Sequence, residues 1–394
     1  MRRFLSIALL MGAVSFTSCD DPIEVAKTST VTVNLSLPSY IVDGEISEST
    51  VVLTEKNSGA VSTQTTTTFE IEEGTYDATF EGTVAYTENG ESLTATLRGS
   101  ASSISVAGET VSFPMTTFIY EEGNAGLVIS EVFYTGNLTA EGSQTSDQYF
   151  KIYNNSDEVQ YLDGLMIAQS AFLTTTKQDY TPDIMSTHFS TDAFISFPGN
   201  GTDYPVEPYS YVTVANDAVN YDEINPGIGF DLSGADFEIY WESLTDTDNP
   251  AVANMVNSYG LFIFHNRGFR SYALIKLDTT MDDFLANNYY DAEYIFAFGD
   301  YSFDMKTSCY KVANENILDA VNLSIEESFQ WIVTDPSVDM GWTYCGYEDG
   351  DATRYGKAVV RKESGTDADG NVILLDTNNS TLDFNGHTTP TIQN

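Results

Sequence analysis

Gly341-Trp342-Thr343-Tyr344-Cys345-Gly346-Tyr347 is the stretch of this sequence whose residue types best suit recognition. Three aromatic side chains bounded by glycines read as a loop, and rings displayed on a loop make a platform for a sugar ring, a peptide or a partner protein. Burial of the same rings in a core is the competing account. Arg354, Lys357 and Arg361 follow at once, within a run of basic residues from Arg267 to Lys362. They offer a contact for an anionic ligand. With 58 acidic residues against 16 basic ones, internal pairing with carboxylates is the simpler explanation. Cys309 and Cys345 add a disulfide that would hold the aromatic loop rigid, unless the two are separate buried thiols.

Catalytic chemistry is harder to find. A nucleophile needs a base that is itself oriented, and there is no Gly-x-Ser-x-Gly elbow. His265, in Phe262-Ile263-Phe264-His265-Asn266-Arg267-Gly268, reads as a satisfied histidine at a strand end before a turn. The three histidines, His188, His265 and His387, are not at zinc-ligand spacing. Carboxylate pairs of the kind a glycosidase uses cannot be singled out among so many acids, so a hydrolase of glycan or phosphoester stays an alternative without named residues. Thr366-Asp367-Ala368-Asp369-Gly370-Asn371 begins like a calcium loop, with Asp367 and Asp369 as ligands. No bidentate glutamate follows, and a β-hairpin tip accounts for the same residues. No other cofactor is expected.

The elements that must position these residues are strands. Tyr, Thr, Val and Gly abound, 13% of residues are aromatic and only 19% are charged, which describes a folded β protein despite the net charge of −42. Such a field repels phosphate backbones, so nucleic acid is excluded as a partner. From Thr28 to Tyr120 apolar residues alternate with period two: Val31, Val33, Leu35 and Leu37, then Val51 and Leu53, Phe69 and Ile71, and Tyr76, Ala78 and Phe80. Turn signals separate the runs at Asp43-Gly44, Asn57-Ser58-Gly59, Glu73-Gly74, Asn89-Gly90 and Ala107-Gly108. This predicts an N-terminal β-sandwich over 29–122 and a second β domain over 123–394. Two short helices are expected, at Thr280–Tyr290 and Glu315–Val321. Tyr294-Ile295-Phe296-Ala297-Phe298 reads as a core strand.

The first eighteen residues form a basic start, Met1-Arg2-Arg3, and an apolar run too short to span a bilayer, ending before Cys19. This predicts a lipoprotein signal peptide (1–18), acylation of Cys19 and a short tether (19–28). Asp20-Asp21 resembles the signal that sends lipoproteins of Bacteroidota to the outer face of the outer membrane.

Two further resemblances concern the body. Glu73-Gly74-Thr75-Tyr76 in its hairpin resembles a transthyretin-like, carboxypeptidase-regulatory-like module, which implies a scaffold. Leu127-Val128-Ile129-Ser130-Glu131, Tyr149-Phe150-Lys151-Ile152-Tyr153-Asn154, Leu162-Asp163-Gly164-Leu165 and Pro208-Tyr209-Ser210-Tyr211-Val212 resemble the lamin-tail domain, an immunoglobulin-like sandwich, here with long insertions. Leu374 to Phe384 is similar to the closing segment of Bacteroidota lipoproteins of a domain-of-unknown-function family. Together they imply an all-β, cell-surface, outer-membrane lipoprotein that binds a glycan, peptide or small molecule, in association with a TonB-dependent receptor. An adhesin or structural role is the further alternative.

Overall fold

The computed structural model describes residues 27–38, 41, 43–88, 91–120, 126–244, 246–299 and 301–392. The signal segment, Cys19 and Asp20-Asp21 lie outside them. The fold is all-β, with three short α-helices among the described residues.

The N-terminal part is one seven-stranded path. In spatial order its strands are Val61–Gln64, Glu45–Glu55, Gly74–Glu88, Glu91–Val106, Thr110–Tyr120, Thr28–Ser36 and Thr68–Glu72. Thr28–Ser36 runs parallel to Thr110–Tyr120; every other pairing is antiparallel. The alternation seen in the sequence is the alternation of burial: Val31, Val51 and Leu53 are fully enclosed, and they share one core with Phe80, Leu97 and Met115. Strands far apart along the path, such as Glu45–Glu55 and Thr68–Glu72, contribute to that single core, so the sheet must curl over itself. At the Asn57-Ser58-Gly59 turn the Glu55 carboxylate accepts from the backbone N–H of Asn57 (2.9 Å) and Ser58 (2.7 Å), and Gly59 takes φ 71°.

From Leu127 the chain builds two stacked sheets. One runs Ala253–Asn254, Phe237–Glu238, Tyr211–Ala215, Tyr149–Asn154, Leu127–Phe133, Ala358–Arg361 and Phe384–Thr388. The other runs Tyr289–Phe298, Tyr301–Ala313, His188–Ser196, Met166–Ser170, Tyr272–Ile275 and Ile317–Val321, with Val256–Tyr259 also on His188–Ser196. Ile129, Phe150 and Ile152 of the first meet Ile167, Ile195 and Leu274 of the second. Phe150 sits among aromatic neighbours, 4.6 Å from Phe264 and 5.2 Å from Tyr272 between ring centroids.

A plain sandwich would leave the outer faces polar, yet Tyr149–Asn154, Met166–Ser170 and Tyr272–Ile275 are buried throughout. The insertions cause this. Ala218, Tyr221 and Leu232 cover Phe133 and Tyr149 on one outer face, and Phe284 covers Phe194 and Tyr310 on the other. Phe284 belongs to the expected helix, Met281–Asn287, whose N-cap Thr280 accepts from Asp283 N–H.

Three expectations are corrected. Glu315–Val321 is not a helix: after one short turn, Ile317–Val321 is a strand paired with Tyr272–Ile275, because the apolar residues fill a place at the sheet edge. Tyr294–Phe298 is a strand but not a core one, since Ile295, Phe296 and Phe298 are exposed. Cys309 and Cys345 form no disulfide. Both are free and fully buried, Cys309 beside Ala292 and Val333, Cys345 in the central core. Burial pushes the Cys309 thiol up to about 11 and that of Cys345 to about 12.

Candidate functional site

Asp339 is the residue on which the aromatic loop is built. Wholly buried, its carboxylate accepts from the backbone N–H of Asn322 (3.0 Å), Gly341 (3.0 Å) and Ser380 (2.8 Å), from the Asn322 side chain (2.9 Å) and from the Ser380 hydroxyl. Burial raises its pKa, and those donors oppose the shift. The loop is thereby pinned to the end of Ile317–Val321 and to the short helix Ser380–Asp383. Gly341 must be glycine, because a Cβ there would collide with Asn379 and with the N–H of Thr381.

Beyond Gly341 the backbone is tied at several points. Trp342 N–H donates to Thr381 Oγ1 (3.0 Å), and the Thr381 hydroxyl donates to the Trp342 carbonyl (2.8 Å). Thr343 exchanges hydrogen bonds with Asn322 and Ser324. His387 N–H donates to the Tyr344 carbonyl (2.8 Å), while its Nδ1 meets the carbonyl of Cys345.

These ties align five rings. Phe329 stacks on Trp342 (4.8 Å between centroids, 14° between planes); Trp342 is followed by Tyr344 (5.8 Å), Tyr347 (5.1 Å) and His387 (5.4 Å). Tyr347 is 45% exposed, and Phe329, Trp342, Tyr344 and His387 are half-buried. The expected residues Trp342, Tyr344 and Tyr347 are therefore together, in a row with an open side, and the backbone supplies the rigidity that a disulfide was expected to give. Phe329 and His387 were missed: neither lies near the loop in sequence, and no local signal connects them to it.

The basic stretch is not part of this surface, which corrects the reading of Arg354 and Arg361 as ligand contacts. Arg354 is buried, its Nε donating to the Asn266 carbonyl (3.0 Å) and its Nη2 to the Tyr355 hydroxyl (2.9 Å). Arg361 is buried against three carboxylates, Asp319, Asp376 (3.3 Å) and Asp383 (3.6 Å). Surplus acids hold Arg361 inward, whereas Arg354 is held by backbone carbonyls and a tyrosine hydroxyl. Lys357 is half-buried. Around the ring row the exposed charges are Glu326, Glu327, Glu348 and Asp349, the last paired with Arg267 (2.7 Å), so the border is acidic.

Other candidates resolve into structure. Burial and the nearby Arg267 and Arg270 lower the pKa of His265 to about 4, and the ring stacks on Phe269 while Nδ1 accepts from Phe269 N–H (3.3 Å). It is a neutral turn residue. Asp367 and Asp369 sit at the tip between Glu363–Thr366 and Val372–Leu374, and the Asp367 carboxylate is occupied by the N–H groups of Asp369 (2.9 Å) and Asn371 (2.8 Å). Among the described residues no three His, Cys, Asp or Glu side chains gather as a metal set.

Residues 207–391 match the family described as protein of unknown function DUF4876. That span holds the aromatic row and Arg361 with its carboxylates. A solved structure of a DUF4876 family protein from Bacteroides thetaiotaomicron VPI-5482 is similar over 92% of this chain and 96% of its own, with a TM-score of 0.53 and 22% identity. The likeness is one of fold. No curated protein matches. Among the described residues no helix is long and apolar enough to cross a membrane.

Proposed function

We propose that this protein is a surface lipoprotein, acylated at Cys19, that binds a ligand on the row Phe329–Trp342–Tyr344–Tyr347–His387 without transforming it. The observation that carries this reading is the row itself: half-open rings held on backbone that is hydrogen-bonded at Trp342, Thr343, Tyr344 and Tyr347. Preorganised aromatic rings bind the apolar face of a sugar or a planar group without the cost of ordering a loop. The acidic border disfavours anions and suits a neutral glycan. Its setting is the outer membrane of a Bacteroidota cell, as an accessory of a TonB-dependent uptake system, the second domain being a lamin-tail-like sandwich.

The test is binding of a panel of neutral oligosaccharides by the wild type and by Trp342→Ala with Tyr347→Ala. The reading expects at least a tenfold loss in the double variant. No binding by the wild type, or equal binding by both, overturns it. Turnover of any panel member would point to a hydrolase instead. For the anchor, Cys19→Ser is expected to abolish palmitate labelling.

A further inference from the structure

The antiparallel pair Tyr289–Phe298 and Tyr301–Ala313 changes character along its length. At its base Ala292 and Cys309 are buried with Phe172 and Val333. Farther out come three successive cross-strand pairs, Tyr294 with Met305, Phe296 with Phe303 and Phe298 with Tyr301. Partners across an antiparallel ladder share a face and alternate residues change face, so all three pairs lie on the face of Ala292. They continue the buried cluster into solvent: Phe298 and Tyr301 are each 71% exposed and Phe303 50%. The opposite face is mixed: Ile295 and Ala297 stand across from Asp304 and Ser302, next to the pair Glu293–Lys306.

The outer edge is open as well. Glu293 exchanges both backbone hydrogen bonds with Thr181 (2.8 and 2.9 Å) on the side away from Tyr301–Ala313. Ile295 and Ala297, of the same parity, direct their N–H and C=O groups to that side. Among the described residues from 294 to 303 none is charged, in a chain of net charge −42.

We propose that the arm is a dimer contact, in which two copies of this chain lay the apolar faces of their arms together about a two-fold axis. The partly exposed Phe, Tyr and Met side chains offer about 600 Å² of apolar surface, against about 800 Å² per partner in a standard stable interface. A face of that size is at the upper end of what a monomer ordinarily displays. A second copy brings an equal, uncharged aromatic face, and self-complementarity is what a two-fold contact requires. Elsewhere two such acidic surfaces repel each other, which confines the contact to the arm. A bilayer fits less well, because Glu293, Asp304 and Lys306 stand on the opposite face and Asp300 follows Gly299 in the sequence.

Sedimentation velocity of the purified full chain tests this. The expected result is a dimer at micromolar concentration that tightens as salt screens the acidic bodies, and a shift of at least tenfold towards monomer in Phe298→Asp with Tyr301→Asp. Hydrogen exchange of the wild type needs no variant: amides between 294 and 305 should exchange more slowly at high than at low protein concentration. A monomer at every concentration and salt overturns the proposal. So does a dimer unaffected by the double variant, exchange independent of concentration, or arm-dependent co-sedimentation of monomer with phosphatidylcholine vesicles.

Discussion

Arg361 donates through Nη2 to the carboxylate of Asp319 in the interior of the part that follows Leu127, joining strands whose residues are 42 positions apart. Asp319 also accepts from Ile129 N–H (2.6 Å), and Arg361 Nε donates to the Ile129 carbonyl (2.9 Å), so the pair ties both sheets to one point. Arg361→Ala would leave the buried carboxylates of Asp319 and Asp383, and the partly exposed Asp376, around an uncompensated space. Removal of one partner of a buried pair costs about 3–5 kcal/mol, and urea denaturation is expected to show a loss of that size.

One guanidinium among three carboxylates cannot neutralise them all. Burial raises Asp383 to about 6 and Asp319 to about 7, and burial likewise raises Asp147, bonded by Asn137, to about 7. A carboxyl whose folded pKa lies above its unfolded value binds protons more readily in the native state. Its ionisation therefore costs stability as pH rises through the folded value. The thermal midpoint is expected to rise as pH falls from about 8 to about 5. His265, lowered to about 4, and His188, also lowered by burial, oppose this below their unfolded values, but Asp217, Glu238 and Asp339 are raised by burial too and add to the three carboxyls. A midpoint flat or falling over that range would contradict the assignment.

Gly341→Ala tests the seat of the aromatic row. With Asn379 in the way, the loop must shift, and overpacking of this kind costs about 1–3 kcal/mol. Tyr347→Ala, at an exposed ring, should leave stability within about 0.5 kcal/mol of wild type. Chemical denaturation of both variants checks the contrast.

Thiol labelling separates the two cysteines from any bridge. Peptides containing Cys309 and Cys345 should resist iodoacetamide in the native protein near pH 8 and label fully in denaturant without reductant. Recovery of a disulfide-linked peptide pair would contradict the structure.

Much of the architecture was legible in the sequence, because a sheet with one buried face writes its period into the chain: Val31, Val33, Val51 and Leu53 announce themselves. The central strands of the second domain were read through resemblance, since burial on both faces erases alternation. Ile317–Val321 looked helical because a short apolar run fits either period. At the candidate site Trp342, Tyr344 and Tyr347 could be seen, being local. Asp339, Phe329 and His387 could not: Asp339 adjoins the loop, but its role comes from Asn322 and Ser380, and Phe329 and His387 reach the row from other segments. The exposure of Phe298 was equally hidden, as an apolar alternating strand carries no mark of whether anything covers it.

The pairing of Leu127–Phe133 with Ala358–Arg361 bears on how the chain reaches its native state. A central strand of the second domain waits for a neighbour more than two hundred residues downstream, and Glu131 is met by Thr391, 260 positions away. Closing loops of that length is slow relative to local pairing. The N-terminal sheet, where Gly74–Glu88 and Glu91–Val106 are joined as a hairpin, has no such wait. Refolding should therefore run in two kinetic phases, a faster one reporting on the first domain and a slower one on the sandwich that carries the aromatic row.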